Sequence, residues 1–437
     1  MSYKPLILAL SVAFSPAALA GNLSDTFRDA LAYDAQFASA RAAYQAGLEK
    51  LPQGRAGLLP NVNVNGNVRY QDISGELVDS DFDSNRIGIN AVQPIFRMQN
   101  WVQYEQSQLQ VKIAEIQLTA AEQDLILRTA RAYFDVLQAQ DNIAFIQSQK
   151  AAITEQLASA KRNFEVGTAT ITDTHEAQAR FDLATAQEIA EQNNLQVRLR
   201  ALEKLIGKPA DSLYVLTEKT PLKPVEGGGI DDWALRASAG NLQAEIQRIA
   251  KAIADKEIER TRAGHYPTLD AVASYSVDNN QPIGAVPIDT RTAAIGLELN
   301  LPIYQGGLTS SRVREAVANQ EKARQDVEAA SREASLQSRQ AWLNINSGAA
   351  RVRALEQALV SSQAQLESTR LGLQVGVRTN LDLLDAQQQV LSARRDLAGA
   401  RYEFLLAGLA LKSAVGTLGI SDLVEIDQHL TPPAAAK

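Results

Sequence analysis

Polar and apolar residues separate by parity between Asn61 and Tyr70. The odd positions are Asn61, Asn63, Asn65, Asn67 and Arg69; the even ones are Val62, Val64, Val68 and Tyr70 around Gly66. A period of two marks a strand with one apolar face. A partner strand runs to Phe96 from about Arg86, with Ile87 and Ile89 on one face, after an acidic loop from Gly75 to Ser84. The alternation returns with Leu269, Ala271, Ala273, Tyr275 and Val277 against Asp270, Ser274, Ser276 and Asp278. It returns again with Ile295, Leu297, Leu299 and Leu301 against Gly296, Glu298 and Asn300. Strands are therefore expected over about 61–73, 86–97, 268–278 and 291–303. Each is long enough for a tilted crossing of a bilayer, yet a soluble antiparallel sheet with one wet face gives the same pattern.

Between the strand pairs the period changes. No proline interrupts the chain from Gln99 to Val166, and Leu109, Ile113, Ile116, Ala120, then Leu127, Ala130, Phe134 and Leu137 recur at steps of three and four. This is a coiled-coil seam on a helix of roughly 100 Å at 1.5 Å per residue. Gly167 ends it, and a return helix is expected from Thr172 to Ile206, stopped by Gly207 and Pro209. The second half predicts the same from Leu308 to Val375, stopped by Gly376, and from Asn380 to Val415, stopped by Gly416. An Ala-rich amphipathic helix over 23–52 precedes the first strand.

The two halves are copies. Pro60 and Pro267, Pro94-Ile95-Phe96 and Pro302-Ile303-Tyr304, Val166-Gly167 and Val375-Gly376, and Gly207 and Gly416 match at offsets that drift only from 207 to 209. The expected layout is a first repeat over 21–207, a connector over 208–230 rich in Pro and Gly, a second repeat over 231–420, and a tail over 421–437 that reads as disordered beyond Asp427. Residues 1–20 read as a secretory signal, with Lys4, an apolar run from Leu6 to Phe14, and Ala18-Leu19-Ala20 as cleavage site.

Composition narrows the function. The 437 residues carry a formal net charge of −7, which offers no footprint for nucleic acid. There is no cysteine, hence no disulfide framework and no acylated N-terminal cysteine. No run of about twenty apolar residues exists to form a membrane helix, but hydropathy averages do not register barrel strands. Four strands cannot close a membrane barrel alone, and open sheet edges are excluded from hydrocarbon, so several chains must pool their strands. His175, His265 and His429 lack ligand spacing. No nucleophile elbow or phosphate loop is present, so neither an enzyme nor a cofactor is expected.

Several segments together resemble the TolC-type outer-membrane efflux and secretion channels. They are Leu299-Asn300-Leu301-Pro302-Ile303-Tyr304-Gln305-Gly306-Gly307, Gly264-His265-Tyr266-Pro267-Thr268-Leu269, and Ala130-Arg131-Ala132-Tyr133-Phe134-Asp135-Val136-Leu137, set in the duplicated layout. The resemblance implies an α+β fold: a transmembrane β-barrel with four strands per protomer and twelve per homotrimer, continued by a long antiparallel helical coiled-coil tunnel. It implies location in the outer membrane with the tunnel in the periplasm. The implied partners are outer-membrane lipid, a periplasmic adaptor, and an inner-membrane ABC or proton-driven pump whose cargo is a polypeptide, small toxic molecules or both. A soluble periplasmic coiled-coil scaffold or adhesin is the competing expectation.

One turn concentrates candidate chemistry: Val377-Arg378-Thr379-Asn380-Leu381-Asp382-Leu383-Leu384-Asp385. Asp382 and Asp385 are spaced i, i+3 and share a helix face; in a trimer they would form carboxylate rings of the kind that select ions. The resemblance puts this turn at the periplasmic tip, at the narrowest constriction. Capping competes as an explanation, since Thr379-x-x-Asp382 and its counterpart Thr170-x-x-Asp173 fit a capping box. Arg378 stands opposite the uncharged Ala169 of the first repeat. By the resemblance it bridges to Asp173 or Thr172 on a neighbouring helix pair and holds the tunnel shut. Leu373 departs from the tyrosine that relatives often carry there to tie the inner helices.

Overall fold

The computed structural model describes residues 21–74, 79–168, 170–210, 212–217, 227–283 and 286–432. The signal at 1–20, Ala169, and the tail from residue 433 lie outside the described residues. In chain order the elements are α1 (Leu23–Tyr33), α2 (Ala35–Leu48), α3 (Lys50–Ala56), β1 (Asn61–Ser74), β2 (Asp79–Phe96), α4 (Met98–Glu165) and α5 (Ile171–Ile206). There follow β3 (Val215–Leu216), α6 (Ile230–Gly240), α7 (Leu242–Arg262), β4 (Thr268–Ile283), β5 (Val286–Asn300), α8 (Leu308–Gln374), α9 (Asn380–Ala414), α10 (Ile420–Asp427) and β6 (Leu430–Thr431). Contacts group the chain into two units that cut across the repeats: residues 39–121 with 236–335, and the remainder.

The first of these units holds the antiparallel sheet, ordered β1-β2-β4-β5. Its register carries the alternation of the sequence across all four strands. Val64 stands opposite Ile89, Ile89 opposite Tyr275, and Tyr275 opposite Ala293. On the other face Asn67 meets Arg86, Arg86 meets Asp278 and Asp278 meets Thr290, and Arg86 and Asp278 form an ion pair. The apolar face is bare in the protomer: Val64 is 73%, Val68 80%, Ile295 90% and Leu297 72% exposed. Burying such side chains is worth about 1.5–3 kcal/mol each, so this face needs an apolar environment. Among the described residues β1 and β5 each leave one edge unpaired.

The strands differ in extent from the sequence expectation. β1 and β2 pair up to Ser74 and Asp79, which absorbs most of the expected acidic loop; residues 75–78 are outside the described set. The sequence Asp79-Ser80-Asp81-Phe82-Asp83 carries no apolar alternation, yet the backbone ladder runs through it, so pairing continued where the pattern did not. At the other end β5 stops at Asn300, and Leu301-Pro302-Ile303 lies beyond it, since Pro302 has no N–H to offer a ladder.

The second unit has the larger core, with Leu23, Phe27, Leu125, Ile126, Tyr133, Phe134, Leu202, Leu411 and Leu423 all within 1% of full burial. Here the expected loose connector and disordered tail are corrected over residues 212–217 and 428–432; residues 211, 218–226 and 433–437 lie outside the described residues. β3 of the connector pairs with β6 of the tail, Val215 with Thr431 and Leu216 with Leu430. Gly21 joins them, accepting from Tyr214 N at 3.2 Å and donating to Ser212 O at 3.1 Å, while the buried Tyr133 hydroxyl donates to Tyr214 O at 2.8 Å. Asp427, ending α10, accepts from Leu23 N at 2.8 Å and Ser24 N at 3.1 Å, and Asn22 caps Asp25 N at 2.7 Å. These bonds satisfy first-turn donors of α1, of which Leu23 and Ser24 are buried.

Candidate functional site

The site lies at the two turns that reverse the long helices, both in the second unit. Each turn is built alike. Gly167 (φ 77°) follows α4 and Gly376 (φ 79°) follows α8, the left-handed conformation that only glycine adopts without cost. Each return helix then opens on a threonine N-cap. Thr170 Oγ1 accepts from Asp173 N at 3.3 Å and Asp173 Oδ2 accepts from Thr170 N at 2.9 Å. In the second repeat Thr379 Oγ1 accepts from Asp382 N at 3.2 Å, and Asp382 Oδ2 accepts from Thr379 N at 2.8 Å. Both are reciprocal capping boxes. Asp173 and Asp382 thus commit one oxygen to the backbone.

The remaining contacts separate the two carboxylates of the second turn. Asp382 Oδ1 lies 3.9 Å from Arg378 Nη1. The Thr379 backbone N–H, then its hydroxyl, and then the Arg378 charge hold the Asp382 carboxyl below the usual carboxylate range. Asp385 instead meets Arg180 of α5, whose Nη1 is 3.0 Å from its Oδ1. Asp382, Asp385 and Arg378 border one polar groove whose other wall includes Ser362, Gln365 and Thr369 of α8. The shared face expected from the i, i+3 spacing is present.

Arg378 and Asp173 line a second cleft, of about 400 Å³, together with Leu373. Within the protomer Asp173 is held by Thr170 and Arg378 by Asp382, while Thr172 is exposed in the first turn of α5. The Arg378 stem rests on Gly372: a Cβ there would sit 2.7 Å from Arg378 Cγ. Small residues also bring the helices together below the turns, with Ile153 of α4, Ala184 of α5 and Leu384 of α9 in one cluster and Leu157, Ala160 and Ala177 in another.

Sequence reasoning missed Arg180 and Glu176. Arg180 Nη2 also binds Glu176 Oε1 at 3.2 Å. A signal was available for Glu176 alone, because Glu176 and Asp385 are equivalent at the 209-residue offset that relates Asp173 to Asp382.

The comparisons with known proteins follow this architecture. The sequence profile of the family described as outer membrane efflux protein matches residues 26–208 and again 234–417. The outer membrane protein TolC of Vibrio cholerae serotype O1 is 34% identical, over 98% of each chain. The alkaline protease secretion protein AprF of Pseudomonas aeruginosa is 32% identical over 93% of this chain and 86% of that protein. The crystal structure of the Campylobacter jejuni CmeC outer membrane channel superposes with a TM-score of 0.79 at 17% identity, over 94% of this chain and 90% of that one. With a sheet that has one bare apolar face, paired long helices and a profile that matches twice, the chain belongs to the outer membrane efflux protein family.

Proposed function

We propose that three copies of this chain form the exit duct of a tripartite system. They would pass cargo from an inner-membrane pump, ABC or proton-driven, through a periplasmic adaptor and across the outer membrane. The observation that carries this reading is the four-stranded sheet with one apolar face and two unpaired edges. In lipid each unpaired backbone group costs several kcal/mol, and joining β5 of one copy to β1 of the next removes every edge. Twelve strands leave a lumen, whereas eight are filled by their own side chains. The polar face of Asn63, Asn65, Asn67, Ser274 and Ser276 then lines the water-filled passage.

At the tip, the Asp382 and Asp385 face forms rings of carboxylates where the copies converge, and Arg378 reaches Asp173 or Thr172 of the adjacent copy to hold the passage closed. Support comes from the cleft that Arg378 and Asp173 already share and from the groove on which both carboxylates open. Cargo choice lies with the pump; the relatives include a protease secretion protein and the toluene efflux pump protein TtgF. In planar-bilayer recordings, Arg378→Ala with Asp173→Ala should raise the resting conductance severalfold. Unchanged conductance would remove the gate.

A further inference from the structure

The repeat makes Glu176 and Asp385 equivalent, and the fold brings both to one guanidinium: Arg180 Nη1 lies 3.0 Å from Asp385 Oδ1 and Nη2 lies 3.2 Å from Glu176 Oε1. The arrangement is one-sided, because the residue equivalent to Arg180 in the second repeat is the uncharged Gln389. The Arg180 side chain is 29% exposed and that of Asp385 60%. The cation therefore lies beneath the carboxylate, beside Ile153 and Leu384, and the carboxylate faces the groove. Among the described residues Asp382 has no such counter-ion beneath it: Arg378 stands 3.9 Å away on an exposed side chain.

We propose that Arg180 is a selectivity-determining residue that pairs with Asp385 in place of a permeating cation, leaving Asp382 to supply most of the cation affinity of the tip. This rests on the reading that the two carboxylates form rings at the narrowest point. A polyvalent cation entering there must compete with a fixed guanidinium at Asp385, but at Asp382 the neutral Thr379 cap holds only Oδ2, and Oδ1 faces no cation nearer than Arg378 at 3.9 Å. Removing the Arg180 charge exposes three Asp385 carboxylates per trimer to the passage. A trivalent ion then gains attraction at each of them, reduced by salt screening.

The test is block of single channels by hexaamminecobalt(III) chloride, with unboiled gel migration as the check on assembly. Arg180→Gln should tighten block by about five- to tenfold, Arg180→Lys should stay within about twofold of the parent, and Arg180→Gln with Asp385→Asn should lose the gain. In the parent background Asp382→Asn should weaken block far more than Asp385→Asn, an arm that holds even where Arg180→Gln fails to assemble. An unchanged blocking constant in Arg180→Gln overturns the proposal. So does equal weakening by the two single carboxylate variants, or a change in resting conductance with no change in block. If Asp382→Asn with Asp385→Asn leaves block intact, the carboxylate rings themselves are refuted, a different result from a silent Arg180.

Discussion

Single side chains set the chemistry inside the second unit. The buried Tyr402 hydroxyl donates to Asp141 Oδ2 at 2.8 Å, and burial raises the Asp141 carboxyl above its ordinary range although that hydrogen bond opposes the shift. An acid with a raised folded pKa keeps its proton where the unfolded chain has lost it, so stability falls as pH rises from about 4 towards the folded value and levels off above it. Asp141→Asn keeps an acceptor for Tyr402 and removes the ionisable group. Its melting temperature should exceed the parent's at pH 7 and match it near pH 4; a variant less stable at both would contradict the account. The candidate residues were legible to different degrees. Asp382 and Asp385 follow from spacing on a helix. Arg180 does not, because its partner stands 205 residues away and only the fold brings the two repeats' return helices side by side. Gly372 was equally silent, since its value lies in the space it leaves for Arg378.

At the scale of elements, the long helices were readable because their ends carry specific chemistry: a left-handed glycine, then threonine with an aspartate three residues on. The small pieces were not. β3 and β6 are two residues each, lie in segments marked by proline and glycine, and owe their existence to a pairing across more than two hundred residues. The α1 cap is similar, for Asp427 takes the two donors at Leu23 and Ser24 from the far end of the chain. Leu23 is fully buried and Ser24 4% exposed, so water cannot replace the lost acceptor. Asp427→Ala should therefore destabilise the second unit by about 1–3 kcal/mol, read as a lower denaturant midpoint. Asp427→Asn should recover part of it. An unaffected midpoint in the alanine variant would show that the α1 terminus finds other acceptors.

For the whole molecule, the sequence and the fold both stop short of a finished object: a lipid-suited sheet with two raw edges. Alternation identified the apolar face but could not tell membrane from water, and what decides between them is that face's exposure together with the unpaired β1 and β5. Pairing those edges between copies is the central claim, and the absence of cysteine makes it directly testable. Cysteines introduced pairwise on the polar face, at Asn63 or Asn65 of β1 and Thr292 or Ala294 of β5, should give an oxidised ladder in outer membranes of monomer, dimer and trimer that stops at three. No crosslink at any pairing, or a ladder that closes at another number, would contradict it.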